Sequence, residues 1–256
     1  MMRPELKRLS LIFFFLPMLF TCLNAQEKIS EVKMEGVKVT KRVGSLIKVK
    51  PEFEERYIIL HKHTFPGVLD RIRKSNIRNY SIFLLDGILF SNYEYVGNDF
   101  DADMKAIADP TTKEWWKLTE PMQEPLPSRK EGEWWAEMEQ LMCLDKIVEP
   151  SSGAQRIGLV AVIIHGKEDA IKEYFKNYPR NLEPEINNAK IQNSNFYYNN
   201  GMVYFYYEYV GSDIRNDIGK LMKNEVFNKS QEELSKLLIP AGNGSWKVMK
   251  EVFHTD

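Results

Sequence analysis

The stretch "DGILFSNYEYVGND" at residues 86–99 returns further along the chain as "NGMVYFYYEYVGSD" at residues 200–213. The two segments align without a gap at an offset of 114 residues, and the letters YEYVG are identical in both. Each segment opens with Asp-Gly or Asn-Gly, the dipeptides that most strongly indicate a tight β-hairpin turn. The repeat therefore predicts two copies of one structural unit that is built around a β-hairpin.

A second match supports this reading of the chain. The segment "EWWAEMEQLMC" at residues 133–143 aligns with "GSWKVMKEVFH" at residues 244–254. The two units are predicted to span residues 37–148 and 154–256. Between them lies "VEPSSGAQ" at residues 148–155, whose proline, serines and glycine are typical of a short linker.

Each unit is predicted to follow the order β-α-β-β-α-β, which is the ferredoxin-like plan. In the first unit the elements are a strand at 43–50, a helix from Pro51 to His63, two strands joined by Asp86-Gly87, a helical region at 101–118 broken at Pro110, and a last strand at 138–144. One face of such a sheet carries no helix and must be covered. The predicted fold is therefore α+β, with two tandem ferredoxin-like units packed sheet to sheet. The second unit then takes the place of a dimer partner, which predicts a monomer in solution.

The first 25 residues have the pattern of a secretory signal peptide. A basic start precedes an apolar run at residues 9–20, and Ala25 precedes the expected cleavage site. The apolar run is shorter than the roughly 20 residues that a membrane-spanning helix needs. The expected location is the periplasm or the exterior of a bacterial cell. The alternative is a lipoprotein anchored through Cys22.

Charge and cysteine content exclude several classes of function. The formal net charge is −1 and falls to about −3 without the leader. A nucleic-acid partner would require a basic face, so none is expected. Without the leader Cys143 is the only cysteine, which allows neither an internal disulfide nor a cysteine metal site.

Tyr57 and His61 are four residues apart on the first predicted helix and therefore share a face. Histidine exchanges protons near neutral pH, which makes it a candidate acid or base. Pro66 is expected to end the helix. His61 then lies in the last turn, where the helix dipole favours its cationic form. The alternative is an ordinary surface histidine.

Three aromatic residues could form the rest of a site. Tyr80 shares a strand face with Ile82 and Leu84, and its hydroxyl needs a partner, which a ligand could supply. Trp115 and Trp116 are adjacent on a helix and point about 100° apart. They could pack against different neighbours, or they could form a platform for the apolar face of a sugar ring.

Taken together, about 110 residues resemble the L-rhamnose mutarotase family. The resemblance rests on "YIILHKHTFPGVLDRIRKSNIRNYSIFLLDGILF" at residues 57–90 and "DPTTKEWWKLTEPM" at residues 109–122. The matching positions are Tyr57 and His61, Phe65-Pro66, Asn79-Tyr80, Leu89-Phe90 and Trp115-Trp116. The resemblance implies a dimeric α/β barrel that interconverts the α and β anomers of a deoxyhexose without a metal or other cofactor. It also implies that His61 is the proton donor and that Tyr57, Tyr80, Trp115 and Trp116 hold the sugar.

The chain departs from this family in two respects. It contains two copies of the unit, and it begins with a predicted leader. The second unit also lacks the site. Its residues at the corresponding places are expected to be Tyr174 for Tyr57, Tyr178 for His61, Ser194 for Tyr80, and Glu233 and Leu234 for the two tryptophans. The first unit is therefore predicted to be active and the second to be structural.

The predicted function is that of an isomerase, a mutarotase whose substrate is a monosaccharide such as L-rhamnose. One alternative is a carbohydrate-binding or sensing protein of the bacterial envelope that has kept the pocket and lost turnover. Another is a cofactor-independent monooxygenase, because fold alone does not determine function. The sequence leaves the identity of the sugar open.

Overall fold

The computed structural model describes residues 38–146, 154–242 and 244–256. The predicted signal peptide at 1–25, including Cys22, lies outside the described residues, as does most of the predicted linker. None of the helices in these ranges is both long enough and apolar enough to cross a membrane.

The first half contains six strands and four helices among its described residues. In chain order they are β1 (Lys41–Val49), α1 (Glu54–Lys62), α2 (Pro66–Lys74), β2 (Ile77–Leu85), β3 (Ile88–Tyr95), α3 (Phe100–Ala106), α4 (Pro110–Thr119), β4 (Gln123–Glu124), β5 (Ala136–Glu137) and β6 (Glu139–Leu144). The predicted hairpin at Asp86-Gly87 is confirmed, and both of its turn residues have the positive φ that this turn requires.

The second half follows the same order. Its elements are β7 (Gln155–Val162), α5 (Glu168–Lys176), α6 (Glu183–Asn188), β8 (Ile191–Asn199), β9 (Met202–Tyr209), α7 (Ile214–Leu221), α8 (Glu225–Ser235) and β10 (Lys247–Thr255). The helices in both halves cover one face of the sheet, and the second face is shared between the halves.

Pro66 differs from its predicted role. Helix α1 already ends at Lys62, and Pro66 begins the separate helix α2. The reason is that proline lacks an N–H group, which the first helical position does not need, and that its fixed φ suits a helix start. Pro110 begins α4 in the same way, and the predicted break at that residue is confirmed.

All the strands form one antiparallel sheet in the order β4-β1-β3-β2-β10-β7-β9-β8-β6, with β5 paired to β1. Two strand segments, 136–144 and 247–255, connect the halves, and we call them the composite strands. The first pairs with β1 of its own half through β5 and with β8 of the other half through β6. The second, β10, pairs with β7 of its own half and then with β2 of the other. The sheet therefore curls into a barrel.

The inner face of the barrel confirms the predicted sheet-to-sheet packing. Its core joins Leu46, Phe83 and Phe90 of the first half to Tyr197, Tyr204, Tyr206 and other residues of the second. Two glycines permit the close approach. A Cβ on Gly158 would lie 2.5 Å from the Phe83 ring, and a Cβ on Gly44 would lie 2.7 Å from the Tyr197 ring.

Buried polar residues link the halves at one place, which we call the glutamate–asparagine cluster. Its members are Asn79, Glu94, Asn193 and Glu208, all at most 4% exposed. The Asn79 amide donates to Glu94 at 3.1 Å and to Glu208 at 2.6 Å. The Asn193 amide donates to the same two carboxylates at 2.6 and 2.7 Å. Both asparagines lie at β-bulges with positive φ, so the bulges direct these amides inward.

Candidate functional site

Helix α1 holds Tyr57 and His61 on its buried face, as the four-residue spacing predicts. Their rings are stacked with centroids 3.9 Å apart. His61 is only 8% exposed, so its interpretation as a surface histidine is wrong. Its Nδ1 lies 3.0 Å from the carbonyl oxygen of Tyr57. A carbonyl only accepts, so Nδ1 carries the proton in this bond and the neutral ring keeps a free electron pair on Nε2.

The protonation state of His61 differs from the predicted cation. Burial lowers the pKa of His61 to about 4, although its bond to the Tyr57 carbonyl acts in the opposite direction. The helix dipole favours a cation by only about 0.3–1 kcal/mol at most exposed sites, which is less than the cost of burying the charge. His61 is therefore neutral at pH 7 and is equipped to accept a proton first.

Helix α4 brings both tryptophans to the site. The Asp109 side chain accepts from the Thr112 backbone N–H and fixes the helix start. Trp115 is buried and meets the ring of His61 edge-on at 5.2 Å. Trp116 is half-buried, and the same cavity extends past both rings.

Tyr80 completes the predicted set from the sheet side. Its ring lies edge-on to Tyr93 at 5.5 Å and to Phe253 at 5.4 Å. Burial raises the pKa of the Tyr80 hydroxyl, which therefore stays protonated and can donate a hydrogen bond. Within the described residues this hydroxyl has no hydrogen-bond partner, so it is available to a ligand.

One cavity of about 260 Å³ is lined by all five predicted site residues, namely Tyr57, His61, Tyr80, Trp115 and Trp116. A neighbouring cavity of about 220 Å³ shares four of these five, all except Tyr57. Pockets for drug-sized ligands begin near 300 Å³, so the first cavity suits a smaller molecule such as a monosaccharide. No three His, Cys, Asp or Glu side chains of the described residues come together as metal ligands would.

Sequence reasoning missed four further residues of the site. Trp134 and Trp135 line the cavity beside Gln123. Trp134 donates its indole N–H to Gln123 at 2.8 Å, and Gln123 lies 3.4 Å from the Tyr57 hydroxyl. The adjacent tryptophans were a usable signal, like the pair at 115–116. Phe253 was not predictable, because it reaches His61, at 5.7 Å between ring centroids, from the other half through the composite strand 247–255.

The sequence model for L-rhamnose mutarotase matches residues 42–144, the segment that contains all five predicted site residues. This segment belongs to the L-rhamnose mutarotase family. The match supports a mutarotase-like or related sugar-binding function for the segment. A comparison with curated protein sequences gives no match.

Two solved structures have a fold similar to that of this chain. A putative monooxygenase from Lactobacillus acidophilus NCFM has a TM-score of 0.53 at 8% identity, over 85% of this chain and 96% of that one. A putative monooxygenase from Fusobacterium nucleatum subsp. nucleatum ATCC 25586 has a TM-score of 0.51 at 13% identity, over 84% and 93%. At these identities the likeness extends to the fold alone.

The second half presents different residues at the places that form the candidate site in the first half. Helices α1 and α5 both have nine residues and follow equivalent turns. Their fourth and eighth residues are Tyr57 and His61 in α1, and Ile171 and Phe175 in α5. The predicted counterparts Tyr174 and Tyr178 are therefore wrong, because each lies three residues beyond the equivalent position.

Counting residues from the helix start also shows that the predicted counterparts of the two tryptophans are wrong. From the capping residues Asp109 and Asn224, the positions of Trp115 and Trp116 correspond to Ser230 and Gln231. The predicted Glu233 and Leu234 lie one helical turn further on. Ser194 follows the bulge asparagine as Tyr80 does in the mutarotase segment, in agreement with its predicted place. The second half thus lacks the histidine, the tyrosine pair and the tryptophan pair of the candidate site.

Proposed function

We propose that the protein interconverts the α and β anomers of a deoxyhexose such as L-rhamnose, and that His61 is its catalytic residue. The observation that carries the proposal is the neutral, buried His61 on a monosaccharide-sized cavity with four tryptophans and two tyrosines. The family match supports the reaction type.

The cavity supplies what a sugar ring needs for binding. Trp115 and Trp116 offer flat faces for its C–H groups, and their indole N–H groups can donate to hydroxyls. The Tyr80 hydroxyl and the carboxylate of Glu120, which also lines the cavity, can bond the hydroxyl rim. Gln123 acts as a positioning residue, because its bonds to Trp134 and Tyr57 hold the wall behind His61.

A single imidazole can perform the proton transfers. The anomeric hydroxyl oxygen and the ring oxygen are bonded to the same carbon, so one nitrogen can reach both. Nε2 of neutral His61 accepts the proton of the anomeric hydroxyl, and the bond from the anomeric carbon to the ring oxygen breaks as the aldehyde forms. The imidazolium then returns the proton to the ring oxygen, and the Tyr57 carbonyl supports its charge through Nδ1–H. Rotation of the aldehyde and the reverse steps give the other anomer.

The test is anomer exchange of L-rhamnose, followed by NMR saturation transfer. General acid–base catalysis contributes roughly 10²–10⁴-fold, so His61→Ala should lower the catalysed exchange at least about a hundredfold. His63→Ala is the matched control, because His63 is exposed at the end of the same helix. Undiminished exchange in His61→Ala would refute the assignment of the catalytic residue.

The same spectra test the alternative of a carbohydrate-binding or sensing protein. A binder would broaden the sugar lines without exchanging the anomers, and His61→Ala would leave that broadening in place. Repeating the measurement with L-fucose and other deoxyhexoses would identify the preferred sugar. Absence of both exchange and broadening across this panel would contradict a sugar ligand altogether.

A further inference from the structure

The second half contains a cavity of its own, of about 290 Å³, where the first half has its candidate site. Its walls come from helices α5 to α8 and from strands β6 to β9. Phe175 occupies the place of His61 there, and Gln231 that of Trp116. No charged side chain of the described residues lines this cavity. It is therefore a site without a base and without a counter-ion.

Aromatic rings form one wall of this second cavity. Phe196 and Phe205 are stacked at 3.9 Å with their planes only 8° apart. Tyr207 continues the row at 5.0 Å from Phe205, and Trp246 lies across it at 5.8 Å. Because these rings cover one another's faces, they offer their edges to the cavity, and an aromatic ring favours such edge-to-face contacts.

Three hydroxyl groups line the same cavity without a hydrogen-bond partner among the described residues. They belong to Tyr178 and Tyr207, each 8% exposed, and to Ser194, which is 2% exposed. Burial raises the pKa of both tyrosine hydroxyls, so they remain protonated donors. The nearby Tyr174 hydroxyl is instead satisfied by Ser230 at 2.6 Å. An oxygen atom on a ligand would give these hydroxyls a hydrogen-bond partner inside the cavity.

A sugar does not fit these walls. Each sugar hydroxyl that loses water needs a new partner, and most of this lining is hydrocarbon. The position of Gln123, which pairs with Val49, is taken in the second half by the apolar Leu238, which pairs with Ile163. An apolar cavity of about 150 Å³ is large enough for benzene, so this larger one has room for two fused rings.

We propose that the second cavity binds an uncharged, flat aromatic molecule that carries a hydroxyl or carbonyl group. The ligand ring meets the edges of the stacked Phe196 and Phe205 rings, and its oxygen bonds the hydroxyls of Tyr178, Tyr207 or Ser194. The two halves then bind ligands of different chemistry on one barrel.

The probe for this site is 1-naphthol, titrated into the full protein by calorimetry at pH 7. Gln231→Trp should fill the cavity and weaken binding at least tenfold. Glu232→Trp is the matched control, because it adds the same side chain to the exposed face of α8 and should bind like wild type. If Gln231→Trp fails to fold, as judged by circular dichroism, Ser194→Tyr replaces it, since Tyr80 stands at that position in the first half.

Two further measurements decide where and how the probe binds. Unchanged affinity in the cavity-filling variant, or competition by L-rhamnose, would place the naphthol elsewhere and overturn the proposal. So would a lack of measurable binding by wild type. The saturated analogue 2-decalol should bind more weakly than 1-naphthol, because it has no aromatic face to place against the ring edges. Equal affinity of the two alcohols would overturn the requirement for an aromatic ligand.

Discussion

His61 shows how burial overrides a local sequence signal. Its place in the last turn of a helix predicts a cation, and the helix position itself was predicted correctly. The stacked Tyr57 ring, the Trp115 edge and Phe253 remove it from water, and their combined effect exceeds the dipole. Two of these contacts come from distant parts of the chain, so the sequence could indicate a candidate for proton transfer but not its resting charge.

This burial predicts a dependence of stability on pH. The pKa of His61 is about 4 in the folded protein against an ordinary value of 6.5. Between these values the unfolded chain binds more protons, so the free energy of unfolding falls as the pH drops from 6.5 to 4. The loss due to His61 is at most about 3 kcal/mol. Urea unfolding of wild type and His61→Gln should diverge across this window, and parallel curves would contradict the lowered pKa.

The close contact at Gly158 predicts that a single added methyl group lowers the stability of the fold. A methyl group there would meet the fully buried Phe83 ring at 2.5 Å. Gly158→Ala should therefore lower the free energy of unfolding by about 1–3 kcal/mol, the usual cost of overpacking. Gly219→Ala is the control, because that helical glycine faces open space and alanine should stabilise the helix by up to about 1 kcal/mol. Urea titrations that gave both variants the same sign would argue against the close approach of the sheets.

At the scale of elements, sequence patterns predicted the helices and hairpins but missed the bulges. The dipeptides at 86–87 and 200–201 carry their turn signal in adjacent letters. Asn79 and Asn193 carry no such signal, because their positive φ is stabilised by carboxylates 15 or more residues away. The pairing of the composite strands could not be predicted from the sequence either. Their alternation indicates a strand, yet which strand each one pairs with is decided across the whole barrel.

The bulge asparagines permit a matched comparison. Asn200 and Asn79 both have φ near +45°, but the Asn200 side chain lies in an exposed turn. Asn200→Ala measures the backbone strain alone, about 1–2 kcal/mol. Asn79→Ala also removes the amide that bonds Glu94 and Glu208, so it should cost about 2–3 kcal/mol more. Equal losses in chemical denaturation would mean that the glutamate–asparagine cluster contributes little.

For the whole molecule, we propose that the two halves are copies of one unit and that each serves as the other's dimer partner. The glycine–ring contacts, the bulges and the composite strands all occur twice, at corresponding places. The sheet edges that a second chain would use are already paired within this one.

This arrangement predicts a monomer in solution. Sedimentation velocity of the purified protein should give the mass of one chain, about 30 kDa for the full sequence. The value should stay constant over a hundredfold range of concentration. A stable dimer would show that the barrel leaves an interface that the strand pairing does not reveal.

The composite strands also set an order of events during synthesis. The ribosome completes the first half before β8 exists, so the segment 139–144 must wait for its partner. Strand β2 waits longer, because β10 follows every other described element. A nascent chain therefore exposes unpaired strand edges, which are prone to aggregate, until its final strand emerges. The same strand delivers Phe253 to His61, so the pocket is completed only when the barrel is.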